Sequence, residues 1–548
     1  MLSKRKSIIL IIVLVLIAGG VVFWNLYKKR LVKQEVTRTV SEKTNNLYSI
    51  STGKLDLDEV AGNLAVTNIS LQPDSLIYNQ LSATGDDPGI LVKLHIPSLS
   101  VTGVKTPKAL LNSEIVGRRV LIDHPVIELF FTNKGKDSLR NVPDKEVYKQ
   151  VLGNLKLLAL DTVSIVNAQV ITRDWKSGDL RMELDSVSID LYGIAVDSLH
   201  DKDSTRIAFA EQVNLQCKKM SMHSKNKLYK YEIRNVDFNS GQKKLHVQHT
   251  QIIPNKPEAA FLQQFKYAND RFDISIRDIS LVNLNTAAFM REKIEADSVV
   301  IGSSSYKIYR DLSYPHDGKN RIGTYPHQAL MKMPVDIYFK TARFNNAYIE
   351  YKERNPKSKK SGLVRFHQVQ LMIHNLTNQQ ERLKDNPVCK VDFRARFLDK
   401  APISATINFY PLADNGKFTI SGEMGKMPAP GVNELTEPMG LAKIETGTIS
   451  RLNFSFAAND YRADGPLTIL YDDLKVALLK RDSAENKLEK KKLVSLLAAI
   501  QVKKANPGKD KEVRREEVHF ERDTKKSFFN LVWKSIFTGV KQSVGINK

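Results

Sequence analysis

Apolar and polar residues alternate one by one along much of the chain. Leu180, Met182 and Leu184 are followed by Val187, Ile189 and Leu191, and Ile403, Ala405, Ile407 and Phe409 repeat the pattern. So do Leu452, Phe454 and Phe456, then Leu467, Ile469 and Tyr471. Successive side chains of a strand point to opposite faces, so a period of two predicts strands with one apolar and one wet face. Between the runs stand "GDDPG", "NSGQ", "ADNGK" and "PAPG", which supply hairpin and loop turns. Residues 48 to 480 therefore read as mainly antiparallel β.

The pattern is written twice. Leu91 to Leu110, "LVKLHIPSLSVTGVKTPKAL", has nine apolar positions, and eight of them are apolar in Arg271 to Met290, "RFDISIRDISLVNLNTAAFM". Chance would give about four. Val120 to Ile122 matches Val299 to Ile301, and "VSIVNAQVI" (Val163 to Ile171) matches "ARFNNAYIE" (Ala342 to Glu350), sharing Asn167, Ala168 and Asn346, Ala347. Val187, Ile189 and Leu191 match Val369, Leu371 and Ile373. The reading is an internal duplication in which each copy needs its neighbour to complete an apolar surface. Each copy also predicts a short helix, one capped by Thr106 with Pro107 behind it, the other beginning near Thr286.

The ends break the alternation. Ser7 to Tyr27, "SIILIIVLVLIAGGVVFWNLY", has no charge and is long enough to cross a hydrocarbon core. A cleavable signal peptide is the rival, but apolar residues continue through Trp24, with Tyr27 at the interface, and argue for an anchor. Basic residues flank both sides, so charge asymmetry does not orient it. Ala484 to Val502 predicts an amphipathic helix, and Lys503 to Lys526 a charged linker. In the last segment Phe529, Val532, Trp533, Ile536 and Val540 fall on one helical face, with Lys534 and Lys541 outside it. That arrangement suits packing onto the β body and lying on a membrane surface alike. The expected divisions are 1–6 (basic tail), 7–27 (membrane helix), 28–47 (juxtamembrane), 48–254 and 255–480 (the two β units) and 481–548 (C-terminal helices).

With 83 Lys and Arg against 60 Asp and Glu, the net charge of +23 favours polyanions. The chain carries no zinc-finger spacing, RNP-like strand or basic helix with a zipper, so nucleic acid is not expected. Cys217 and Cys389 are too few for a disulfide scaffold or a metal site. Cys389, Val391, Phe393, Ala395 and Phe397 share one strand face, which makes Cys389 a buried free thiol. Phosphate loops and the HExxH, GxSxG and CxxC patterns are missing. The eleven histidines, His327 among them, read as surface or loop residues, and Asp472 with Asp473 as the end of a strand. No catalytic residue, metal or cofactor is expected.

Three stretches carry a family resemblance: "TGKLDLDEVAGNLAVTNISL", "LHIPSLSVTGVKTPKALLNSEIVGRRVLIDHPVIEL" and "IETGTISRLNFSFAANDYRADGPLTILYDDLKV". With the anchor and the duplicated β units, they resemble the AsmA-like envelope proteins of Gram-negative bacteria. The resemblance implies a single-pass inner-membrane anchor and a periplasmic body. That body would be a long sheet bent into a groove with an apolar inside. It implies binding or transfer of phospholipid or another envelope lipid, and no enzyme activity. Acyl chains would then lie against Val92, Leu94, Ile96, Phe272, Ile274, Ile276, Val391 and Phe393, with Trp24, Tyr27, Phe529, Trp533 and Phe537 at membrane interfaces. The alternative is a scaffold for envelope assembly with a dry core and protein partners. Alternation alone does not separate a groove from a dry sandwich.

Overall fold

The computed structural model describes residues 40–42, 44–58, 60–105, 114–132, 156–200, 203, 205–207, 209–482, 487–490, 502–508 and 511–546. The chain divides into two compact units, Met1–Thr250 with Asn283–Glu292, and Gln251–Val282 with Lys293–Lys548. Both are mainly β, as runs of Val, Ile, Phe and Tyr at period two require. The first strands are β1 (Tyr48–Ser51), β2 (Leu55–Asp58), β3 (Asn63–Pro73), β4 (Ile90–Thr102), β5 (Glu114–Asp123) and β6 (Val126–Phe131). Then come β7 (Leu157–Asp174), β8 (Leu180–Val196), β9 (Gln212–His223), β10 (Tyr229–Asn239) and β11 (Lys244–Pro254). The next are β12 (Asp270–Val282), β13 (Ile294–Asp311), β14 (Ile337–Arg354), β15 (Ser361–Thr377), β16 (Cys389–Phe397), β17 (Ala401–Phe409) and β18 (Phe418–Met424). The last are β19 (Met427–Pro428), β20 (Ala442–Ala458), β21 (Arg462–Asp482), β22 (Lys487–Lys490) and β23 (Glu516–Glu521).

The duplication is visible in the element bounds. β4 and β12 are both 13 residues long, β7 and β14 both 18, and β8 and β15 both 17. One unbroken strand, β13, stands where the first copy has β5 and β6. Most ladders are antiparallel, as expected, but the sheet is mixed. β5 and β6 run parallel to β7, and β13 runs parallel to β14. Parallel neighbours need a crossover of about a dozen residues or more. The chain from Leu312 to Asp336, with its short helix Pro326–Met331, provides one. Alternation is the same in both ladder types, which is why the pattern does not announce the direction.

Several long strands, and the junction of β5 with β6, carry a break near their middle. In the first unit Asn68, His124, Asn167, Ser186 and Asn235 have left-handed backbone, with φ between 48° and 52°, and regular pairing lapses beside them. The second unit has Asp278 and Gln368 in the same state, at 57° and 50°. Such bulges bend a strand and re-aim its side chains. The shared Asn-Ala pair marks this line: Ala168 pairs with Val187, and Ala347 with Val369, the two alanines 3% and 1% exposed. In the first copy both Asn167 and Ser186 on the neighbouring strand are left-handed, whereas in the second Gln368, the counterpart of Ser186, is so and Asn346 is not.

Other expectations at the C-terminal end change. Lys487–Lys490, inside the expected helix 484–502, is β22, paired with β21 from Leu479 to Asp482. A hairpin partner overrides local helix preference here. The expected linker contains β23, which pairs with Arg462 to Leu467 of β21. Asp472 and Asp473 lie within β21 rather than at its end; Asp473 is left-handed (φ 47°) at a bulge where Thr446 Oγ1 donates to its carbonyl over 2.7 Å. The cap of the helix Thr286–Met290 is Asn285, which accepts from the Ala288 amide at 3.0 Å. The expected membrane helix 7–27 and the cap at Thr106 lie outside the described residues, as does all but the end of the juxtamembrane stretch. No helix of the described residues is long and apolar enough to cross a membrane.

Candidate functional site

Cross-strand partners share a face, so the ladder registers trace one apolar surface across the second unit. Phe272 pairs with Ile308, Ile308 with Tyr351, and Tyr351 with Val364. The next row is Ile274, Tyr306, Ile349 and Phe366. Beyond the bulges the rows are Ile279, Ile301, Phe344, Leu371 and Phe393, then Ile373, Val391, Ile407, Ile420 and Phe456. Phe366 joins them edge-on, its ring 5.7 Å from that of Phe393.

This surface is closed at one end and more open along the rest, where Ala347, Val369, Ala395 and Phe397 are nonetheless buried. Towards β18, β20 and β21 it is covered: Phe418, Phe456, Leu452 and Ile469 are at most 6% exposed. There the C-terminal helix Phe528–Ser543 lays Phe528 against Phe409 and Phe418, with centroids 5.6 and 4.9 Å apart. Over β12 to β16 the same face keeps Ile274, Ile276, Tyr306, Ile308, Phe344, Ile349, Phe366, Leu371, Val391 and Phe393 half-buried, and Phe272 is 37% exposed. Ion pairs fringe one end of the open rows: Arg310 with Asp270 (3.4 Å), Lys352 with Glu258 (2.8 Å) and Arg354 with Asp311 (3.9 Å).

The opposite, wet face of the same strands has a depression of about 920 Å³ lined by Arg343, Gln370, Lys390, Asp392, Arg394 and Glu423, among others. Phe344, Leu371, Met372, Phe393 and Phe454 line it as well, but most of its lining is polar. Such a lining suits water and ions rather than an apolar chain.

The residues singled out from the sequence separate into groups. Phe272, Ile274, Ile276, Val391 and Phe393 belong to the open face of the second unit. Leu94 and Ile96 in the first unit are 8% and 1% exposed, and Val92 beside them is half-buried; they pair with Ile127, Ile69 and Leu129 in a closed core. Trp24 and Tyr27 lie outside the described residues. Phe529 is 72% and Trp533 38% exposed, and Phe537 is half-buried. The helix packs through Phe528, Leu531, Ser535, Gly539 and Ser543, with Val532, Ile536 and Val540 of the expected face partly buried against the same core and Phe529 and Trp533 turned away from it. Tyr306, Ile308, Phe344, Ile349 and Phe366 went unselected, although their own alternation could have marked them.

A buried polar cluster holds the covered end together. The Arg522 and Asp460 side chains, each 1% exposed, meet at 3.0 Å, and the guanidinium lies 4.3 Å from the Tyr325 ring centroid. Gln328 Nε2 donates to Asp460 at 2.8 Å, and the Tyr325 hydroxyl donates to the Asn459 carbonyl at 3.0 Å. His327, expected at the surface, is instead 2% exposed and stacks on Phe409 at 4.9 Å. Burial pushes its pKa down to about 4, against an opposing pull from Asp460. Both cysteines are buried free thiols, and burial pushes Cys389 up to about 11. Among the described residues no group of three or more His, Cys, Asp or Glu could hold a metal ion. No family model and no curated protein matches this chain.

Proposed function

We propose that this is a membrane-anchored envelope protein that binds or transfers lipid, its acyl chains lying on the open apolar face of the second unit. One observation carries the reading. The face runs over β12 to β16, and although Ala347, Val369, Ala395 and Phe397 on it are buried, Ile274, Tyr306, Ile308, Phe344, Ile349, Phe366, Leu371, Val391 and Phe393 stay partly exposed and Phe272 is exposed, while the same face is buried beneath the C-terminal helix. An apolar sheet face left open to water at this extent calls for an apolar occupant. Each methylene removed from water gains ~0.8 kcal/mol, so an acyl chain is a strong candidate. Arg310, Lys352 and Arg354 at the fringe would meet a phosphate headgroup. Resemblance to AsmA-like proteins supports the same reading, with an inner-membrane anchor, a periplasmic body and a part in outer-membrane homeostasis.

The test is photo-crosslinking of the full chain in native membranes, with benzophenone side chains at Phe272, Ile349 and Phe366 and controls at Leu94 and Ile96. Lipid adducts are expected from the first three positions only. Phe366→Glu is expected to lower co-purifying lipid, measured by mass spectrometry, at least severalfold. No adducts at the open face, together with stable protein partners, would favour the scaffold alternative, to which the closed core around Ile96 already lends support.

A further inference from the structure

The C-terminal helix Phe528–Ser543 is held to the body by one side and presents a different apolar side outward. On the inner side a Cβ at Gly539 would stand 2.7 Å from Val518 Cγ2 and 2.9 Å from Leu467 Cδ1, so the helix backbone lies tight against β21 and β23. The Ser527 hydroxyl caps its start by accepting from the Asn530 amide at 3.4 Å. With Phe528 and Leu531 buried, the helix does not need its other aromatics for packing.

Those aromatics form a ridge. Phe529, Trp533 and Phe537 are spaced four apart and so line up along one side of the helix. Phe529 is 72% exposed, the most of any Phe or Trp among the described residues, and Trp533 is 38% exposed. The Trp533 and Phe537 rings stack with centroids 6.1 Å apart and planes 15° apart. Lys534 and Lys541 hold their ammonium groups 5.8 and 5.6 Å from the Phe537 centroid. No Asp or Glu occurs anywhere from Phe528 to Ser543.

We propose that this ridge is a membrane-surface contact: the three rings enter the boundary between headgroups and acyl chains of an anionic bilayer, and Lys534 and Lys541 meet its phosphates. Trp and Phe favour that boundary, and lysine stems reach along apolar surface while the ammonium stays with the phosphates. The charge decides between occupants. A ridge with two cations and no anion repels a basic surface and matches an anionic one. Because Phe529 and Trp533 face solvent at the C-terminal helix and not at the sheet rows of β12 to β16, this contact is separate from lipid binding on the sheet, and either can fail alone.

The experiment uses the full chain with Phe529→Cys, labelled with the polarity-sensitive dye NBD. Cys217 and Cys389, 7% and 3% exposed, are shielded from the reagent. The labelled chain is reconstituted in vesicles of phosphatidylcholine alone and of phosphatidylcholine with phosphatidylglycerol. The expected result is a blue shift and brightening in the anionic vesicles only, reversed by high salt. Each lysine near an anionic surface is worth a factor of about five, so Lys534→Glu with Lys541→Glu is expected to weaken the response by at least about 25-fold, since each glutamate also repels the surface. An equal response in both vesicles, no response in either, or indifference to the two lysine reversals overturns the proposal. A response that appears only on adding envelope proteins also overturns it, assigning the ridge to a protein partner. Folding of the variants is read from unchanged circular dichroism and melting.

Discussion

His327 shows how a single residue can carry a pH response that its surroundings in the sequence do not suggest. It is sandwiched against Phe409, and neither ring nitrogen has a hydrogen-bond partner among the described residues. With a folded pKa of about 4 and an unfolded one near 6.5, the unfolded chain binds the proton more readily. Stability from this site is therefore complete above about pH 6.5 and is lost as pH falls towards 4. Between pH 7 and 5 the loss is about 2 kcal/mol. His327→Phe, which keeps the stack, is expected to remove that share of the acid sensitivity in urea titrations at the two pH values. An equal loss in the variant would clear His327 of the effect. In the sequence this histidine is one of eleven with no marked neighbour. Its burial depends on Asp460 and Phe409, more than 80 residues away, which no local pattern reveals.

At the scale of elements, the duplicated strands were legible because period-two alternation is a direct image of the sheet, whereas their bounds are read from the backbone. The bulge line was half legible. The Asn-Ala pair shared by the two copies flagged the place, but only the backbone shows that Asn167 is left-handed. Asparagine tolerates that conformation, whereas a β-branched residue pays on the order of 1–2 kcal/mol for it. Asn167→Val is expected to destabilise the first unit by that amount, while Asn167→Gly stays within about 0.5 kcal/mol, as measured by denaturant melts. Similar losses for both would show that the Asn167 side chain, which approaches His124 Nε2 at 3.3 Å, matters more than its backbone. Strand direction and β22 were not legible. Parallel and antiparallel strands alternate alike, and "KLEK" is charged enough to pass for a solvated helix until β21 is beside it.

Across the whole molecule, the two copies share a frame and differ in filling. Leu94 and Ile96 correspond to Ile274 and Ile276, yet the first pair is buried and the second half-buried. Hydrophobicity at equivalent positions is the same, so the sequence identified a face without saying which copy leaves it open. Ile96→Ala is expected to cost ~2–5 kcal/mol as a core cavity. Ile276→Ala should cost about 1 kcal/mol, because less surface leaves the interior. Thermal melts of the full chain would compare them, and equal costs would mean that the second face is as closed as the first.

The parallel ladder between β13 and β14 has a consequence for how the chain is made. Synthesis delivers β13 beside β12 first, and its other edge waits until the crossover and β14 have emerged. During that interval a strand of 18 residues offers unpaired amides and carbonyls to any passing chain. Late, non-local closure is slow. The nascent protein therefore depends on delivery that keeps that edge apart from others, and its yield should be more sensitive to expression rate than its finished stability implies.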